Sequence, residues 1–263
     1  METVRSADGT AIAYDQAGHG PLLIIVDGAM NTRSSGSKPQ LVELLAARFT
    51  VLSYDRRGRG DSGDTQPYAA GREIEDIEAL IDRAGPAACL YGHSSGGCLA
   101  LDAAAQLGPK VSKLAMYEAP YNDDPAFQQA WAQYLEQLAS ALAGNRRGDA
   151  VAAFMRLVGM PAGQVEAMRQ APFWPGMEAI APTLAYDHAG VIGQDPSVPV
   201  KRAAQVDVPA LVVYGTASPP FMAETATTLS KALPHAELRA LDNQDHDVDP
   251  VVLAPVLTAF LPT

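Results

Sequence analysis

Cysteine is nearly missing from this chain. Only Cys89 and Cys98 occur in 263 residues, which excludes a disulfide framework and leaves too few thiols for a cysteine-built metal site. Positive charge is short as well: 19 lysines and arginines face 30 aspartates and glutamates, for a net charge of −11. That balance opposes nucleic acid and anionic membrane surfaces as partners, and a small-molecule substrate fits it better. Long apolar runs are absent; the longest early one, Leu22 to Val26, is far too short to span a bilayer. METVRSADGT lacks the basic-then-apolar pattern of a secretion signal, so the reading is a cytoplasmic protein without membrane attachment. Phosphate-cradling loops are missing too. GRGDSG lacks the Lys-Ser/Thr ending of a P-loop, and no G-x-G-x-x-G opens a helix, so no nucleotide cofactor is expected. Asp245, His246 and Asp247 are sequence neighbours that converge poorly on one ion, so no metal is expected either.

What is present is ample apolar material, 48% of residues, enough for one large α/β domain or two small ones. ETVRSADGTAIAYDQAG reads as two antiparallel strands about an Asp8-Gly9 turn. PLLIIVDG has the unbroken apolar character of a strand covered on both faces, and Pro39 to Phe49 then repeats apolar residues at helical spacing. TVLSYDRRG, AACLYGH, KLAMYEAP, PALVVYGTAS and AELRALDNQ are further strands. EIEDIEALIDRAG, TATTLSKALP and PVVLAPVLTAFL are helices. This alternation predicts a mostly parallel sheet with helices on both faces.

The rhythm breaks between positions 121 and 200, dividing the chain into a core of residues 1–120 and 201–263 and an inserted helical cap of residues 121–200. An all-helical insertion between two parallel strands lies over their C-terminal ends, where open α/β sheets place their ligands, so it is a candidate lid. Phe127, Trp131, Phe173, Trp174 and Met177 are candidates to line an apolar substrate pocket there; the competing reading is that they form the insertion's own core.

The segment CLYGHSSGG, from Cys89 to Gly97, carries the chemistry. G-x-S-x-G is weak by itself, but here a buried strand (Ala87 to Tyr91) precedes it and a helix (Gly97 to Leu107) follows, the context of a strained turn that presents a nucleophile, Ser94. Together with VDGAM after the third strand, YDRRGRGDSGD after the fourth, the helical insertion and a late QDHDV, it makes the chain resemble the α/β-hydrolase superfamily over nearly its full length. The resemblance implies the α/β-hydrolase fold and a cofactor-free serine hydrolase acting on an ester, thioester or lactone of a small apolar molecule through an acyl-Ser94 intermediate. It implies His246 as general base, Ser95 and Ala29 as backbone oxyanion donors, and Met30 as an alternative donor or substrate contact.

The acid departs from the commonest pattern. Many such proteins carry Asp after the seventh strand, where this chain has Ser218 in GTASPP; the other known position, at the end of the sixth strand, holds Glu118. The expected triad is therefore Ser94, His246 and Glu118. Asp27, beside the oxyanion loop, is expected to pair with Arg33, Arg56 or Arg57. Two rivals stand beside hydrolysis: the same triad used for perhydrolysis or for lyase or cyclisation chemistry, and a non-catalytic ligand-binding relative whose missing late Asp records lost activity.

Overall fold

A computed structural model describes residues 1–36 and 38–261. Its eight strands are β1 (Glu2–Arg5), β2 (Ala11–Ala17), β3 (Leu22–Val26), β4 (Thr50–Tyr54), β5 (Ala88–His93), β6 (Val111–Tyr117), β7 (Ala210–Gly215) and β8 (Ala236–Leu241). They form one sheet in the order β1-β2-β4-β3-β5-β6-β7-β8. β2 pairs antiparallel with β1 and β4, while the strands from β4 to β8 pair in parallel. The α/β-hydrolase fold expected from the sequence is the fold found.

Alternation along the central strands builds two cores. Leu22, Ile24 and Val26 of β3, with Leu90, Leu114, Met116 and Val212, face one core; Leu23, Ile25, Tyr91, Ala115, Tyr117 and Val213 face the other. The second core is closed by α1 (Lys38–Ala46) and by α10 (Pro250–Phe260), which contribute Leu41, Leu45, Leu253 and Leu257. The first is closed by α2 (Ala70–Ala84), α3 (Ser95–Leu107) and α9 (Pro220–Ala232). A strand buried on both faces leaves no solvated row for polar residues, which is why these segments read as apolar runs.

Between β6 and β7 the chain passes through α4 (Pro125–Ala143), α5 (Arg147–Leu157), α6 (Ala162–Met168), α7 (Trp174–Ile180), a π-helical turn at Tyr186–Ile192 and α8 (Val200–Ala203). α4 begins at a proline with Asp124 capping the Ala126 N–H, so its start is set by residues the sequence displays. No described helix is long and apolar enough to cross a membrane. Cys89 and Cys98 are both free and buried.

Candidate active site

The C-terminal ends of β3, β5, β6, β7 and β8 face one side of a parallel sheet, and the candidate residues hang from them. Ser94 joins β5 to α3 with φ 56° and ψ −130°, a conformation a non-glycine residue adopts only when its surroundings enforce it. The enforcement is visible: Ser94 N–H donates to Tyr117 O at 2.9 Å, and Gly97 N–H donates to Ser94 O at 2.8 Å. The elbow also needs Gly92, because a Cβ there would stand 2.6 Å from Gly97 Cα. The helix starts at Ser95, two residues earlier than the apolar periodicity indicates, since the small residues Ser95 and Gly96 extend it without contributing to that periodicity.

Glu118 follows β6, also at positive φ (48°), and its side chain is fully enclosed. Its Oε1 accepts from Gly215 N–H at 2.9 Å and its Oε2 meets His246 Nδ1 at 2.8 Å. The structure thus brings Glu118 and His246 together across 128 residues of sequence, while the imidazole stays 44% exposed on its other side. Ser218, where the commoner acid would stand, has a buried hydroxyl without a partner among the described residues.

The loop bearing His246 is held by its backbone. Tyr117 donates its hydroxyl to Asp245 O at 2.5 Å, His93 Nε2 sits 2.9 Å from His246 O, and Ala217 N–H donates to Gln244 O at 2.8 Å. Enclosure, with the electrostatic influence of His246 and Lys38 adding to it, pushes the His93 imidazole down to about 3, so His93 is neutral and its Nε2–H is the donor. His93, adjacent to Ser94, is therefore the strut that ties the elbow to the histidine loop. The acids Asp242, Asp245, Asp247 and Asp249 lie along this loop; Asp245 and Asp249 accept backbone N–H groups of Asp247 and Val251, local turn and cap contacts rather than contacts to the ring.

The loop after β3 lies on Ser94. A Cβ at Gly28 would stand 2.9 Å from Ser94 Cβ, so only glycine lets the loop approach this closely. Ala29 and Met30 follow, half-buried, with Met30 at φ 62°. Asp27 does not pair with any of the three expected arginines: its Oδ1 meets Lys38 Nζ at 2.5 Å. Burial raises the Asp27 carboxyl, and Lys38 partly offsets that rise. Arg33 is instead engaged by Asp15, Asp55 and Asp61, Arg57 by Asp76 and Asp8, and Arg56 by Glu73 and Asp187. Lys38 opens α1 and lies on the same side of the sheet as the loop after β3, a proximity that linear distance from Asp27 does not announce.

Sequence reasoning missed the ionic group beneath this loop. Arg56, Arg57 and Arg59 are at most 1% exposed, and Asp187, in the π-helical turn, is 0% exposed. Glu73 and Asp76 turn inward from α2, where an acidic helix would ordinarily show its charges to water. The signal available was the RRGR run itself, because adjacent guanidinium groups packed into a fold require matched acids.

The five pocket candidates fall out differently. Trp131 is buried, donates to Gly193 O at 3.0 Å and packs beside Phe127, Tyr134 and His188. Phe127 stacks on Phe221 of α9 at 6.1 Å between centroids, bridging insertion and core. Met177 packs, half-buried, against the first core. Phe173 and Trp174 lie in contrasting surroundings. Phe173 is 54% exposed, facing solvent at the start of α7. Trp174 is buried inside the insertion, where it donates to Glu178 and lies under the Arg169 guanidinium. Trp174 is on the inward face of α7, whereas Phe173 precedes the helix as its N-cap residue.

The chain belongs to the alpha/beta hydrolase fold family, whose sequence profile matches residues 21–248. A solved alpha/beta hydrolase from Sphaerobacter thermophilus is 48% identical with a TM-score of 0.86, covering 99% of this chain and 100% of that one. Over 107 residues the chain is 40% identical to a pimeloyl-[acyl-carrier protein] methyl ester esterase from Xanthomonas campestris, a match covering 40% of this chain and 39% of that protein. A proline iminopeptidase, PfmaB, from Pestalotiopsis fici is 32% identical over 114 residues. Both of these matches span about two fifths of the relative's length.

Proposed function

We propose that this protein hydrolyses carboxylic esters of small molecules, thioesters and lactones included, through an acyl-enzyme on Ser94. The observation that carries the reading is the joining of Glu118 to His246 Nδ1 at 2.8 Å, on a loop tied at 2.9 Å to His93, the residue before a serine held at φ 56°. The contact with Glu118 assigns the imidazole proton to Nδ1 and leaves Nε2 free to act as a base. His246 Nε2 takes the Ser94 proton as Oγ attacks the ester carbonyl. The oxyanion is held by the N–H groups of Ser95 and Ala29, and His246 then returns the proton to the departing alcohol or thiol. Water, activated by the same imidazole, releases the acid and restores Ser94.

The named methyl ester esterase, matched over part of its length, supports ester cleavage. Residues 121–200 serve as the lid, and Trp131 and Met177 are the apolar residues of that segment that we assign to the substrate side. Glu118 removes the motive for a non-catalytic reading, since the histidine has a carboxylate without the late Asp. Turnover of short-chain p-nitrophenyl esters by the wild type and by Ser94→Ala tests the proposal: activity lost in the variant supports it, and equal activity in both overturns it.

A further inference from the structure

Asp187 is carried by the insertion, yet its side-chain hydrogen bonds among the described residues reach into the core beside the elbow. Its Oδ1 accepts from Ser95 Oγ at 2.7 Å and from Arg56, and its Oδ2 accepts from Arg59. The two guanidinium groups in turn grip the loop that lies on Ser94. Arg59 donates to Gly28 O at 2.7 Å and to Asn31 O at 3.4 Å, and Arg56 donates to Asp27 O at 3.1 Å. In a trans peptide the carbonyl and the following N–H point in opposite directions. Fixing Gly28 O on Arg59 therefore turns the Ala29 N–H away from the guanidinium.

The turn that delivers Asp187 is held on its flank. Tyr186 stacks on Tyr68 with centroids 3.9 Å apart, its hydroxyl donates to Asp64 at 2.7 Å, and Gln66 donates to that hydroxyl at 2.6 Å. Single π-helical turns recur at functional sites because the extra residue re-aims a side chain. Here the re-aimed side chain is a carboxylate. Burial alone would raise it, but the Arg56 and Arg59 charges, with His188 and Ser95, keep it ionised below the usual range.

We propose that Asp187 is a positioning residue for both oxyanion donors, holding Ser95 by its hydroxyl and the Ala29 N–H through Arg59, so that the hole is complete only when the insertion is seated. The proposal rests on the ester-cleaving reading above. It makes the insertion part of the machinery rather than a cover, and couples closure over substrate to stabilisation of the transition state.

The test measures kcat, KM and inhibition by a trifluoromethyl ketone matched to the ester substrate, whose hydrated or Ser-bound form places an oxyanion in the hole. Rates are taken per active site, titrated with a fluorophosphonate. Asp187→Asn should lower kcat about 100-fold and weaken the ketone in parallel, with KM within about threefold, the pattern of lost transition-state binding. Ser95→Ala, which keeps the backbone N–H, should lower kcat about 3- to 10-fold, and Arg59→Lys should fall between the two. These milder variants decide the matter if Asp187→Asn fails to fold. Folded variants with unchanged kcat per site, or with kcat lowered while ketone affinity holds, would overturn the inference. A wild type with no ester turnover and no labelling at Ser94 would sink the ester-cleaving reading and this proposal with it; an active wild type beside an equally active Asp187→Asn sinks this proposal alone.

Discussion

Two buried carboxylates flank the elbow, and they are partnered differently. Glu118 meets a backbone N–H and an imidazole, groups without permanent charge. Asp187 meets two guanidinium groups and a hydroxyl. A carboxylate opposite fixed charges stabilises an arrangement that does not change during a reaction. One opposite an imidazole becomes most useful when that imidazole gains a proton. The first comes from the insertion and the second from the sheet, so in the proposed mechanism the sheet supplies the group that answers a developing charge and the insertion supplies the group that fixes geometry.

Substitutions can break the comparison from either side. The largest effect belongs to Ser94→Ala, which should cost at least about 10⁴-fold in kcat with folding intact, since it removes the proposed nucleophile. Glu118→Gln should follow at about 10²- to 10⁴-fold. The amide still accepts from Gly215 N–H but offers His246 no negative charge, and steady-state kinetics beside a thermal melt would separate this from unfolding. On the Asp187 side the first casualty is stability. Arg56→Met leaves Glu73 and Asp187 buried with too little positive charge, and urea titration should show a loss of about 3–5 kcal/mol.

Acid sharpens the contrast further. His188, next to Asp187, donates or accepts at Tyr134 Oη over 2.7 Å, and burial pushes its imidazole down to about 4. Between about pH 6.5 and 4 the unfolded chain binds a proton that the folded one refuses, so stability falls as pH drops through that window and is regained on return to neutrality. The loss at pH 4 is on the order of 2–3 kcal/mol, and His188→Gln should flatten that part of the stability profile. Smallest of all, Phe173→Ala should leave both melting temperature and ester turnover within error, because an exposed side chain removed just before α7 uncovers no core.

The sheet was readable because a buried parallel strand writes itself as an apolar run: Leu22–Val26 and Ala210–Gly215 fall inside the segments anticipated. Ser94 was marked as a candidate by its turn residues, and His246 and Glu118 by the positions that the family resemblance implies; the structure joins the last two at 2.8 Å. Asp27 was assigned the wrong partners because Lys38 reaches it only through the packing of α1. Asp187 was invisible for a related reason. Its neighbours come from the loop after β4 and from the elbow, 92 to 131 positions away in sequence, and a π-helical turn leaves no periodic mark. Phe173 and Trp174 show the limit of composition: adjacent aromatics, one before α7 and one at its start, go to opposite environments.

The most direct measurement is rapid-quench mass spectrometry of the wild type mixed with p-nitrophenyl butyrate, followed by digestion and mass analysis of the peptide containing Ser94. A transient butyryl adduct on Ser94 should form with the burst of nitrophenol and decay at the turnover rate. Turnover proceeding with no adduct, or with the adduct on another residue, would contradict the acyl-Ser94 proposal.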